Sequence, residues 1–325
     1  MVRTAMAVLI VSAALARGGE QIVWQIGKPD KSYSEFAIAS NYQGYAGRFD
    51  RKPLVFEIGK NDAAKDWPFI HPGPTDFWAQ GRVHPFTVRF TCNDEPRGLF
   101  TLRVEFSDVH GQHPPTYTVT IGGRTGHFRL QPGGGDASLA DPAAGKPQKI
   151  EVSLPASSFH KGVNDIVLAC VDGSWAQYDA LTLLNDPEGR MPQPEIQSIR
   201  AAATPFFIRG DGKARRALEV NVTLTAPTDN LVISAEAAGE TTEVPVKELG
   251  AFGGVSQEIG VADAPEPMDV KITAKTGASA KTVTVKVEPQ RKWRIYCAAS
   301  SHTDIGYTDV QSKCAERHCQ NADIS

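Results

Sequence analysis

From Trp24 to about Asp186, apolar and polar residues alternate with a period of two, which points to stacked antiparallel sheets before anything else is known. Val88, Phe90 and Cys92 alternate with Arg89 and Thr91, and Phe100, Leu102, Val104 and Phe106 alternate with Thr101, Arg103 and Glu105. Tyr117, Val119 and Ile121 continue the pattern, followed by Ile150, Val152 and Leu154, then Ile166, Leu168 and Cys170, then Leu181 and Leu183. Each run reads as a strand with one face toward a core and one toward solvent. Gly122-Gly123, Gly133-Gly134-Gly135 and Asp172-Gly173 supply turns between them. This spacing predicts a mainly β chain that opens with a jelly-roll sandwich over 20–186.

Three prolines and a glycine break the alternation between Asn185 and Pro194, and a domain boundary is expected there. A second alternating set follows: Leu218, Val220, Val222 and Leu224; Leu231 and Ile233; Val244 and Val246; Val270 and Ile272; Val283, Val285 and Val287. Six or seven short strands over 193–288 fit an immunoglobulin-like or fibronectin-like sandwich. That stretch holds no Trp or Cys, so an antibody-type disulfide core is excluded. From 291 the pattern changes again. Ile295-Tyr296-Cys297-Ala298-Ala299 is apolar without alternation, as a strand covered on both faces would be. Asp309 can cap a helix on which Val310, Cys314 and His318 recur every four residues. Strand, polar loop and helix over 291–325 make the first βα unit of a truncated (β/α) barrel, a unit that cannot bury its own faces.

The 34 basic and 37 acidic residues leave a net charge of −3 and no basic run, so nucleic acid is not expected as a partner. Arg3, the apolar run from Ala5 to Ala16 and the closing Ala14-Leu15-Ala16 read as a signal peptide over 1–16, which implies a secreted or periplasmic protein. Twelve apolar residues fall short of the roughly 20 that span a bilayer, and no membrane span is expected after leader removal. Five cysteines at irregular spacing form no disulfide framework. Cys92 and Cys170 fall on apolar strand phases and read as buried thiols, with a bridge between them as the alternative.

His302-Thr-Asp-Ile-Gly-Tyr307 carries the most chemistry. In extended backbone, His302 and Asp304 point to the same side, at the carboxyl end of a strand, where α/β barrels keep their sites. An imidazole and a carboxylate suit a zinc-like cation that finds further donors elsewhere. Tyr307 offers a flat face to a sugar ring. Among the aromatics of the first sandwich, Trp67, Trp78 and Trp175 lie in or beside loops and are candidates for glycan contact, with core packing as the commoner role of Trp. His71, His84, His110, His113 and His127 show no ligand spacing and read as surface or turn residues. Asn221-Val-Thr223 is a glycosylation sequon on a predicted strand, where chance is the simpler explanation.

Residues 293–325, and Ser301-His302-Thr303-Asp304-Ile305-Gly306-Tyr307 above all, resemble the start of the catalytic domain of glycoside hydrolase family 38, the α-mannosidases. The resemblance implies that His302 and Asp304 are the first two ligands of a catalytic zinc that holds sugar hydroxyls. Tyr307 stands where that family commonly has a Trp, and Ile305 where many members have Pro. Its nucleophile, acid/base carboxylate and remaining zinc ligands lie on later strands, so the resemblance implies an inactive stump of a retaining glycosidase. Trp24-Gln-Ile-Gly27, Ser34-Glu35-Phe36, the strand from Gly98 to Phe106, and Tyr178-Asp-Ala-Leu-Thr-Leu183 resemble the galactose-binding-like domain of polysaccharide lyase family 4. That implies a carbohydrate-binding fold without lyase chemistry. The expectation is therefore the N-terminal portion of a secreted α-mannosidase-like enzyme with a glycan or polysaccharide as partner. A non-catalytic glycan-binding or adhesion protein, and a polysaccharide deacetylase parent, are the alternatives.

Overall fold

The computed structural model describes residues 19–292 except 51, 211, 229, 247–251 and 278, together with 296 and 309–324. The first sandwich is built from β1 (Gln21–Gly27), β2 (Leu54–Glu57), β3 (Ile70–His71), β4 (Phe86–Cys92), β5 (Leu99–Val109), β6 (Thr116–Ile121), β7 (Arg124–Arg129), β8 (Gln148–Pro155), β9 (Gly162–Asp172) and β10 (Ala176–Asp186). One sheet runs β1-β10-β5-β8, with β3 also on β10, and the other runs β2-β4-β9-β6-β7. All pairings are antiparallel except β2 with β4. The alternation does what it promised on β4, where Phe86, Val88 and Phe90 are buried and Thr87 and Arg89 are not. Leu102, Val104 and Phe106 from one sheet meet Tyr117, Val119, Ile166 and Leu168 from the other in one core.

β10 departs from the half-buried pattern, because its first nine residues are all buried. Its core side carries Tyr178, Leu181 and Leu183, while Gln177 and Asp179 are covered by long connections. Asp179 Oδ1 accepts N–H groups from Asp30, Lys31 and Ser32, and Gln177 Nε2 donates to Ser138 Oγ. The connections after β1 and β7 are thereby tied to the outer face of the sheet.

The second sandwich comprises β11 (Ile196–Gly210), β12 (Lys213–Leu224), β13 (Val232–Ala237), β14 (Glu240–Pro245), β15 (Gly254–Val261), β16 (Met268–Thr276) and β17 (Ser279–Val287). Sheets β11-β12-β15 and β14-β13-β16-β17 enclose a core of Leu218, Val220, Val222, Ile233, Val270 and Ile272. The described residues up to Glu288 form one compact unit despite having two cores. Phe252, which lies just ahead of β15, is buried in the core of the first sandwich. At Gly254 a Cβ would stand 2.1 Å from the His127 carbonyl oxygen, so the backbones of β7 and β15 touch where only glycine fits. Arg129 adds an ion pair at 3.8 Å to Glu219.

Of the final βα unit, the helix α1 (Gln311–Ile324) is described, with Cys314 and His318 half-buried and Asp309 accepting the Val310 N–H. The preceding apolar segment lies outside the described residues except Tyr296, which is exposed. So does the stretch 1–16, read from sequence as a leader.

Phe252→Ala removes an aromatic ring from a core it shares across the two sandwiches and should cost about 3–5 kcal/mol. The expected outcome is a single unfolding transition for the parent chain and two resolved transitions in calorimetry of the variant. Retention of one transition at an unchanged Tm would contradict the shared core.

Candidate functional site

Two features define the site: a buried hydrogen-bonded chain between the sheets, and an open cleft of about 460 Å³ lined in part by the segment that follows β3. His71 on β3 is fully buried and stacks on Phe86 of β4, centroids 3.8 Å apart and planes 11° apart. Its Nε2 lies 2.7 Å from the His84 carbonyl, which can only accept, so Nε2 carries the hydrogen. Nδ1 of the neutral ring is then the acceptor for the Tyr178 hydroxyl at 2.6 Å. With its hydrogen spent, Tyr178 Oη accepts from Tyr117 at 2.8 Å. Burial pushes the imidazole down to about pKa 3 and both phenols well above their ordinary value, so all three rings stay neutral.

This placement fixes the start of the segment that follows β3. Gly73 packs where a Cβ would lie 2.5 Å from the Gly173 carbonyl. Asp76 is buried beside it and accepts the Gly73 N–H at 2.7 Å on one oxygen and the Ser174 hydroxyl at 2.5 Å on the other. Burial raises its pKa, against those hydrogen bonds and an interaction with Trp78. Asp76 also heads the 3-10 turn Phe77–Ala79, which presents Trp78 and is closed by Gln80 in the left-handed region, φ 67°.

Three other chain segments complete the cleft. Tyr42 sits on the turn Tyr42–Gly44 and meets Trp78 edge-on at 5.2 Å. Ahead of it, Ile38 and Ser40 hold φ of 55° and 59°, a conformation that costs a β-branched residue energy and clusters at functional sites. His110 follows β5, stands edge-on to Trp175 at 5.6 Å, and donates its backbone N–H to the Trp175 carbonyl. Asp136 and Leu139 come from the turn after the glycine run, anchored by Asp108, whose Oδ1 accepts the N–H groups of Gly134 and Lys146. Half-buried Tyr42 and Trp78, buried Trp175, hydroxyls, an imidazole and two carboxylates thus line one open depression, a combination that suits polyhydroxylated ligands.

Of the aromatics singled out in the sequence, Trp67 is fully buried in the core, Trp175 is buried in the same core while lining the cleft, and Trp78 lines the cleft half-buried. His71 and His84 are not surface residues: each is buried with its ring nitrogens engaged, against the expectation from their turn-rich surroundings. Cys92 and Cys170 are free thiols, so the bridge alternative is excluded. His302, Asp304 and Tyr307 lie outside the described residues. Among the described residues no group of three or more His, Cys, Asp or Glu is placed to hold a metal ion, and no helix is long and apolar enough to cross a membrane. Tyr42, Asp136 and Ser174 were missed in the sequence because no motif links them.

Residues 22–183, the first sandwich almost entire, match the family described as CBM-like, polysaccharide lyase family 4, domain III. This sandwich is a carbohydrate-binding-like domain. The rhamnogalacturonate lyase of Dickeya dadantii (strain 3937) is 25% identical over 182 residues, covering 53% of this chain and 29% of that protein. The chain therefore spans less than a third of the curated relative's length. Among solved structures, a β-glucuronidase of Ruminococcus gnavus covers 85% of this chain and 45% of its own at 10% identity and a TM-score of 0.22. A β-D-glucuronidase of Dictyoglomus thermophilum covers 63% and 36% at 9% identity and a TM-score of 0.19. At such scores the superpositions add nothing to the strand order described above.

The buried imidazole sets a pH dependence. Above pH 6.5 His71 is neutral in both states and its site contributes fully. Below it, the unfolded chain takes up a proton that the folded chain refuses, and stability falls by up to about 1.4 kcal/mol per pH unit. His84, also depressed by burial, adds in the same direction. Urea unfolding at pH 7 and pH 4.5 should show this loss. His71→Gln should be less stable at pH 7 but lose less on acidification; equal losses would contradict the buried neutral ring.

Proposed function

We propose that the chain is a glycan-engaging accessory portion of a carbohydrate-active protein, and that the cleft between Tyr42, Trp78 and Trp175 is where the first sandwich meets a polysaccharide. The observation that carries this reading is the convergence of two tryptophans and a tyrosine with Ser40, His110 and Asp136 in a depression open to solvent. A sugar ring presents an apolar face of C–H groups to an aromatic and a rim of hydroxyls to polar side chains, and this cleft offers both. The match of residues 22–183 to a CBM-like domain supports the same ligand class. Binding here needs no covalent step: the site holds a chain near whatever chemistry accompanies it.

The finer reading, an α-mannosidase-like parent using zinc, rests on the sequence around His302 and Asp304 alone. In it the pair would hold zinc, which would grip sugar hydroxyls, and secretion would follow from the leader at 1–16. Metal analysis of the intact gene product tests it, and a metal-free protein would sink it.

Trp78→Ala should weaken retention on polysaccharide in affinity electrophoresis at least about tenfold, the scale of losing one aromatic platform. Circular dichroism should show the fold retained, since Trp78 is only half-buried. Unchanged retention by the folded variant would remove the cleft from the reading.

A further inference from the structure

The cleft also shows which sugars it suits, an inference that rests on the glycan-binding reading above. The carboxylates that line it are Asp76 and Asp136, and no lysine or arginine is among its described lining residues. Asp76 has both oxygens engaged, by the Gly73 N–H and the Ser174 hydroxyl, so it holds the wall. Asp136, exposed at the head of its turn, is the carboxylate that faces solvent. Arg82, on the same connection as Trp78, is ion-paired with Asp50 and, with Lys52 ahead of β2, lines a different pocket.

The donors are neutral. The His113 backbone N–H donates to His110 Nδ1 at 2.9 Å, so the hydrogen of the neutral ring sits on Nε2 and that nitrogen is a donor. Tyr42 adds a hydroxyl that gives and accepts in turn, and Ser40, whose hydrogen goes to Tyr33 Oη at 3.4 Å, adds one that accepts. Sugar hydroxyls, which also do both, match this set and can donate to Asp136. A uronate carboxylate only accepts, is recognised best by a guanidinium or ammonium, and would stand beside a like charge. We infer that the cleft takes neutral sugar residues and discriminates against uronic acids.

The test compares the whole chain with a neutral mannan, a neutral galactan and polygalacturonate by affinity electrophoresis and calorimetry, for the parent, Trp78→Ala and Asp136→Lys. Binding to at least one neutral polymer, lost in Trp78→Ala and at least about tenfold tighter than to polygalacturonate, is expected. Asp136→Lys should narrow that gap by raising polygalacturonate binding. Polygalacturonate bound equally or more tightly, with the same sensitivity to Trp78→Ala, would overturn the selectivity while leaving the glycan site in place. No binding to any of the three, or binding indifferent to Trp78→Ala, would overturn the site and the selectivity together.

Discussion

The hydrogen-bonded chain from the His84 carbonyl through His71 and Tyr178 to Tyr117 joins the two sheets of the first sandwich in its interior. Tyr178, on β10, is the middle member: it bonds Tyr117 of the β9 sheet and His71 on the short strand β3, which pairs with β10. A buried polar group is tolerable only when its partners are met, and here each ring satisfies the next without a charge. The geometry leaves β3 one position, and the six residues after it carry Gly73 and Asp76 to the rim of the cleft. The site is thus hung from the core and not from a flexible loop.

Around that anchor, other segments are held by bonds between residues far apart in sequence. Ser174 reaches Asp76, Tyr33 donates to the Ser138 carbonyl, and Asp108 gathers the chain at Gly134 and Lys146. The left-handed conformations of Ile38, Ser40 and Gln80 sit on two of these segments, beside Tyr42 and Trp78. Strain of that kind persists only where the surroundings over-determine it. An aromatic cleft built this way is pre-formed, which spares a ligand the cost of ordering it.

The strands were legible in the sequence because period-two alternation is a local signal, and β4 follows it residue for residue. β10 was harder: its outward residues Gln177 and Asp179 look solvated in sequence but are covered by connections more than thirty residues away. His71 and His84 failed for the same reason, since turn-forming neighbours such as Pro72 and Gly73 say nothing of what packs over them. Trp78 and Trp175 could be named as candidates, but not their place on one cleft, where Gly73 lies against the Gly173 carbonyl. Phe252 likewise gave no sign that it would cross into the first core.

The indole N–H resonances offer the most direct view of the cleft, because two of the described tryptophans line it, half-buried Trp78 and core-packed Trp175, while Trp24 and Trp67 lie in the core and line no part of it. On titrating a neutral oligosaccharide into the labelled protein, the Trp78 and Trp175 signals should shift saturably while those of Trp24 and Trp67 hold still. Saturable shifts confined to other parts of the molecule, with Trp78 and Trp175 unmoved, would contradict the cleft as the place where glycan binds.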